Sequence, residues 1–480
     1  MDVYPVHLLD SSDSYRKLFM SYIFAFNDVL DAKKLAESLS TLLTIGDWRK
    51  LGGRLRTNKH GRLEIQVPQE YTLKTPTIYF SQETFDIGVD DHPLGRQLPD
   101  LSGFRSVQAL ASDLRGFSGI PGVPRSTEEM IDRDAPLLSL HVTSFDDATV
   151  VAVAWPHVLM DAMGLQALLR NWSLVLNGRA GEVLPLIGIH NDPMQEAVEN
   201  DTRPKEELVV EKLAVGPLGI IILLFRLLWL KLWRPGFERR TVVLPQDALH
   251  RLCQRARRDI DKEQDKSAFI SEGDVLAAWS ARMLAASQPK PAPVTVANFI
   301  NVRFRMASLK ERSGEYLQNM LQFVYASLPP RCDEAPLGLM ALSYRRQLAE
   351  QSTEPQMLSY IRMQIDHVGA KGGLRLMFGD PRAAMLTVNN LAKVDFFHNI
   401  DFSGAVAHKN EPATGTRMCE KTRQNPPGSI VFYQPLTLNE PTVVTSHLGI
   451  LGKDHSGRVL ITGIFQPNTW KMITEELKKL

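Results

Sequence analysis

A chain of 480 residues with 55 Lys and Arg against 54 Asp and Glu carries a formal net charge of +1, which argues against the basic stripe of a nucleic-acid binder. Its three cysteines, Cys253, Cys332 and Cys419, are scattered singles without a Cys-x-x-Cys pair, so neither a metal site nor a disulfide framework is expected and a reducing compartment fits best. The length suits two domains of about 200 residues each.

The first 14 residues lack a basic segment followed by an apolar one, so no secretory signal is read and a cytoplasmic location is expected. A short apolar segment at 22–26 precedes Asp31, which caps an amphipathic helix running to Leu43. Gly52-Gly53 then turns the chain into Arg54-Leu55 and a strand at 63–67. Strands at 137–145 and 149–155 are joined by Asp146-Asp147, a hairpin signal. The second of these is β-branched, apolar and closed by Pro156.

Directly after it come His157-Val158-Leu159-Met160-Asp161, and then a helix over 162–176 closed by Asn177-Gly178. A histidine at a strand-to-helix junction is held by backbone on both sides and sits where pockets form, which makes it a candidate general base. The spacing alone is weak: with twelve histidines it arises on the order of once by chance. Taken by itself, His157 reads more readily as a core histidine bonded to nearby backbone.

From 181 to about 240 the composition turns polar, then apolar, then basic, so the chain divides into an N-terminal domain (1–205), a crossover linker (206–240) and a C-terminal domain (241–480). Within the linker, 213–234 is the most hydrophobic stretch. Its charge-free run ends at Arg226, short of the ~20 apolar residues that a membrane span needs. Arg226, Lys231 and Arg234 fall on one arc with Trp229 and Trp233 beside them, the pattern of an interfacial helix. Three outcomes compete: peripheral contact with an internal membrane, burial against the protein, and, least favoured by the short run, a true span.

Helices at 246–257 and 271–284, strands at 294–302, 321–326, 384–388, 430–433 and 459–465, and a final helix at 468–480 make a second mixed unit. No repeat and no strict βαβ rhythm is visible, so the fold class is α+β, with mixed sheets flanked by helices. No dinucleotide fingerprint, Walker loop or Gly-x-Ser-x-Gly elbow is present.

Several segments, in order, resemble the BAHD acyltransferases, which move an acyl group from coenzyme A to an alcohol or amine. They are 35–43 with Leu51-Gly52-Gly53-Arg54-Leu55, then His157 to Asp161 with Ala162 and Gly164, then the helix from Ser271. Asn301-Val302-Arg303-Phe304-Arg305, Tyr316-Leu317-Gln318-Asn319 and Asp401-Phe402-Ser403-Gly404 follow. The resemblance implies two similar domains of the chloramphenicol acetyltransferase type with an active-site channel between them. It also implies a monomer, acyl-CoA as co-substrate, a small-molecule acceptor, and no permanently bound cofactor.

By the same resemblance His157 is the base. Asp161 turns away to pair with an arginine of the Asn-x-Arg-x-Arg strand. The two-residue strand period makes Arg303 and Arg305 both available, and Arg303 is favoured. Asn389 or Asn390 stands as the oxyanion donor, and Asp401, Phe402 and Gly404 as a structural motif. The sequence departs from the family at Gln318, where relatives have glycine, at Ser403-Gly404-Ala405, and near Asn389-Asn390-Leu391, where a tryptophan is missing. A carrier-protein donor, or a binding or cyclising protein on the same scaffold, are the alternatives. Arg54 is expected to be solvated or to pair with a loop, Asn319 to bond a strand end, Asp401 to fix a turn, and His398 to lie at a surface or turn.

Overall fold

The computed structural model describes residues 2–101, 106–109, 114–119, 122–233, 236–261, 268–310, 313–407, 423–439 and 445–480. Cys419 and Arg234 lie outside these residues, as does the side chain of Lys231.

Two large mixed sheets form the body. In the five-stranded sheet the order is Phe432–Thr437, Phe19–Phe26, Thr149–Pro156, Ser139–Ser144, Tyr79–Thr84. In the seven-stranded sheet it is Leu321–Leu328, Val294–Asn301, Ala384–Asn390, Ser446–Lys453, Val459–Phe465, Glu238–Leu244, Ser106–Ala109. A small third sheet joins Asp2–Pro5, Leu63–Val67 and Arg54–Thr57.

The sheets do not follow the 1–205, 206–240 and 241–480 division. Strand Phe432–Thr437 completes the sheet of the N-terminal half, and Ser106–Ala109 pairs with Glu238–Leu244 at the edge of the other. Residues 238–240, read as linker, already belong to a strand. Helix Pro193–Glu199 packs towards helix Glu354–Lys371 rather than on the five-stranded sheet, with Arg362 donating to the Val198 carbonyl at 3.5 Å.

Because side chains alternate along a strand, each sheet has two chemically different faces. On the five-stranded sheet, Tyr22, Phe24, Phe26, Val151, Val153 and Trp155 share one face through the register of their strands. That aromatic face meets helices Ala32–Leu42 and Ala162–Leu176, with Phe402 stacked on Phe26 and edge-on to Trp172. The reverse face carries small and polar residues: Ser21, Ser139, His141, Ala152, Ala154 and Gln434, all buried.

The seven-stranded sheet behaves in the same way. Val296, Val324, Leu386, Leu448 and Ile461 form its apolar side, covered by helices Gln246–Asp261, Glu272–Ala286, Leu337–Gln351 and Pro467–Leu477. Thr241, Thr387, Asn389, His447 and Thr462 lie on the other side. The two sheets are tied where Arg239 donates to the Pro435 carbonyl at 3.3 Å.

The apolar linker segment forms helix Pro217–Trp233. Its inner side lines a cavity with Leu223, Arg226, Leu227 and Met385, and Arg226 donates to the Ala383 carbonyl. Its outer side is exposed at Leu218 (71%), Phe225 (70%) and Trp229 (57%). Burial of the whole segment against the protein is thereby corrected: only one flank is covered.

Candidate active site

Strand Thr149–Pro156 is built from β-branched and apolar residues, all buried, and pairs along its length with Phe19–Phe26. The last pair is Phe19 with Pro156, and the next backbone bond runs from His157 N to the Leu18 carbonyl at 2.9 Å. The chain then makes one turn, pinned where Trp155 Nε1 donates to the Met160 carbonyl at 3.0 Å. Asp161 is the N-cap of helix Ala162–Leu176: its Oδ1 accepts from Met163 N (3.1 Å) and Gly164 N (3.0 Å). Gly164 is required here, because a Cβ would strike the Leu317 carbonyl.

The second Asp161 oxygen faces the C-terminal half. Oδ2 accepts from Arg303 Nη1 at 2.6 Å and from Met320 N at 3.1 Å. Arg303 Nη2 donates to the Gln318 carbonyl at 2.5 Å. Both partners are buried, at 1% and 8% side-chain exposure. Every bond made by Asp161 is therefore to backbone or to Arg303, none to the His157 ring.

Arg305 does not share this role. Strand Val294–Asn301 ends at Asn301, whose side chain accepts from Arg303 N at 2.9 Å and starts a 3₁₀ turn over Val302–Phe304. The strand period stops there, so Arg305 leaves the face that Arg303 takes and is exposed.

The His157 ring is half-buried and tilts over Tyr15, with 4.9 Å between centroids. Its Nδ1 is buried without a hydrogen-bond partner. Burial lowers its pKa from the ordinary value, against opposing pulls from Asp161 and Asn319. The ring is thus neutral at pH 7 and able to accept a proton. The His157 carbonyl accepts from Asn319 Nδ2 at 2.8 Å. Asn319, Met320 and Arg303 all come from the C-terminal half, so the loop 157–161 is held from both sides of the junction.

The two asparagines at the end of strand Ala384–Asn390 point opposite ways. Asn390 is exposed, bonds Ala392 N at 3.0 Å and lies against Gly273 on the helix-covered side. Asn389 is on the polar side, the side of His447 and Gly449. No hydrogen bond joins either of them to His157 among the described residues.

Asp401, Phe402 and Gly404 dock at the far end of helix Ala162–Leu176. The Asp401 carbonyl accepts from Asn177 Nδ2 at 2.9 Å, and Asp401 Oδ1 accepts from Ser403 N at 2.9 Å. A Cβ on Gly404 would come within 2.6 Å of the Leu176 carbonyl. Arg54 is buried, not solvated, and donates to the carbonyls of Gly52, Gly53 and Pro76. His398 is exposed and bonded to Asp395 at 2.6 Å.

Reading the sequence locally misses Asp10, which accepts from both nitrogens of Asn319, and Tyr15 beneath the imidazole. Nothing in the spacing of residues 10 and 319 signals that they meet. The two described cavities lie elsewhere. One sits beneath helix Pro217–Trp233 and the other is lined by Arg423, Asn425, His455 and Arg458. No group of three or more His, Cys, Asp or Glu suited to a metal occurs among the described residues.

No family model matches the chain. Over its whole length it is 31% identical to the acetyltransferase pyiB of Pyricularia grisea, covering 94% of that protein. It is 30% identical to the O-acetyltransferase PaAT-2 of Phomopsis amygdali, with 100% of this chain and 98% of that one covered. Among solved structures, F. graminearum TRI101 in complex with coenzyme A and T-2 mycotoxin superposes with a TM-score of 0.68 over 100% of this chain and 99% of that one, at 14% identity. The arrangement around two large mixed sheets is thus shared with TRI101. The chain belongs to the BAHD acyltransferases, together with these fungal acetyltransferases.

Proposed function

We propose that the protein moves an acetyl group from acetyl-CoA to a hydroxyl of a specialised metabolite, with His157 as the general base. An alcohol ionises far above pH 7, so it becomes a nucleophile only if its proton is taken as the new bond forms. A neutral imidazole serves that purpose, and the observation that carries the reading is the lowered pKa of a half-buried His157 on a loop pinned from both halves. The acceptor oxygen attacks the thioester carbonyl, the tetrahedral oxyanion collapses, and the C–S bond breaks. The imidazolium returns its proton to the departing thiolate. Asn389 is the preferred oxyanion donor of the two asparagines, since Asn390 faces the helices. No cofactor is bound between turnovers.

Incubation with acetyl-CoA and a panel of hydroxylated metabolites tests this reading: an acetylated product should form with release of free coenzyme A. Turnover with an acyl carrier protein but not with acetyl-CoA would replace the donor. No transfer from either donor to any acceptor in the panel would overturn the reading.

The same proposal extends to where the enzyme sits. None of the described helices is long and apolar enough to cross a membrane. Helix Pro217–Trp233 presents Leu218, Ile221, Phe225, Leu228 and Leu232 outward at intervals of three and four residues, with Trp229 beside them. A stripe of this kind lies in the interfacial plane of a bilayer. The protein is then a cytoplasmic monomer held peripherally on an internal membrane. Flotation with vesicles checks it: the intact protein should float, and a Leu218→Ser/Phe225→Ser/Trp229→Ser variant should not.

A further inference from the structure

Beneath the His157 loop lies a group of buried ionisable side chains that the chemistry just described does not use. Asp10, 3% exposed, accepts at one oxygen from Asn319 N (3.0 Å) and from Asn319 Nδ2 (2.8 Å). The same Nδ2 donates its other proton to the His157 carbonyl at 2.8 Å. Asn319 Oδ1 is buried without a partner. The amide orientation is therefore fixed by the two acceptors that Nδ2 meets.

We propose that Asp10 is a positioning residue for His157: its carboxylate orients the Asn319 amide so that the amide clamps the His157 carbonyl, and protonation of Asp10 weakens that clamp. The inference rests on His157 as the base. An ionised Asp10 offers only acceptors, so Nδ2 has to face it. A protonated Asp10 still accepts at the oxygen that Asn319 N and Nδ2 share, but a neutral oxygen is a weaker acceptor than a carboxylate. The Asn319 amide is then held less firmly, and with it the His157 carbonyl.

The surroundings place this switch in a useful range. Burial and Asp192 raise the Asp10 pKa, while Asn319 and Lys50 lower it, leaving it at about 7. Lys50, itself buried, is brought down to about 8 by desolvation. Asp192 caps helix Pro193–Glu199, and His7, whose ring bonds the Gly188 carbonyl, completes the charged neighbourhood. Tyr15, which lies under the imidazole, has a hydroxyl kept protonated by burial and by the charges of Asp10 and Asp161.

The test compares kcat and KM at pH 6 and pH 8 for the wild type, Asp10→Asn and Asp10→Leu, with His157→Ala beside them. In the wild type kcat should rise about tenfold between these pH values, as the Asp10 charge forms. Asp10→Asn keeps an oxygen acceptor and removes the titration, so this rise should largely vanish. Asp10→Leu should lower kcat at both pH values with KM nearly unchanged. An Asp10→Asn profile that follows the wild type overturns the inference. So does a loss of kcat in Asp10→Leu that is matched by an equal rise in KM. If His157→Ala stays active, the base assignment itself fails; if it is inactive while the Asp10 profiles are unchanged, only the present inference does.

Discussion

Asp161 and Arg303, 142 residues apart in the chain, meet at 2.6 Å in a buried ion pair that fastens the loop of His157 to the C-terminal half. The carboxylate is fully engaged, with one oxygen on the helix N-terminus and the other on Arg303 and Met320 N. Its part is structural: it holds the loop that carries the His157 imidazole.

Removing one member leaves the other charged and unpaired in the interior, at a typical cost of about 3 to 5 kcal/mol. Asp161→Ala and Arg303→Met should therefore each lower the melting temperature clearly. The double replacement Asp161→Ala/Arg303→Met should do less harm than the sum of the singles, because no lone charge remains. Melting curves of the four proteins check this, and additive losses would mean the pair is not coupled.

His447 is held neutral: burial and the nearby Arg239 bring its pKa down to about 4. The unfolded chain binds a proton near pH 6.5 and the folded one does not until about pH 4, so stability falls as pH drops through this window. By pH 4 the loss amounts to roughly 3 kcal/mol. His447→Gln should flatten the dependence of melting temperature on pH between 6.5 and 4. An unchanged slope would show that other groups dominate acid unfolding.

Gly404 sits where a Cβ would meet the Leu176 carbonyl at 2.6 Å, and Phe402 fills the space between Phe26 and Trp172. Truncating a buried phenylalanine typically costs about 3 to 5 kcal/mol. Phe402→Ala should lower the melting temperature by more than Gly404→Ala does, and what folded protein remains should keep its KM. A change in KM without a change in melting would place this motif at the acceptor instead.

The strand-to-helix junction was legible because its signals are local. A β-branched run closed by Pro156 and an aspartate ahead of a 15-residue apolar helix yield Thr149–Pro156 and Ala162–Leu176 at nearly their expected bounds. The α+β class and the mixed sheets followed from the same patterns. Strand Ser446–Lys453 was hidden by Gly449 and Gly452, which weaken a strand pattern. Helices Leu337–Gln351 and Glu354–Lys371 bury glutamines that pair with backbone, as Gln351 does with Tyr325 N and O, and so they lack a clean apolar stripe.

What crosses between the halves left no local trace. The swapped strands Phe432–Thr437 and Ser106–Ala109, and the contact of Asp10 with Asn319, depend on chain segments more than a hundred residues apart. Arg305 was misplaced for a different reason: the strand ends at Asn301, whose side chain starts a turn, before the period-two reading reaches Arg305.

The central claim is that one imidazole removes the acceptor proton. Measuring turnover of His157→Ala with acetyl-CoA and an acceptor the wild type uses is the direct test. The account predicts a fall in kcat of about 100- to 10,000-fold with the melting temperature kept. A folded His157→Ala enzyme that turns over at the wild-type rate would contradict it.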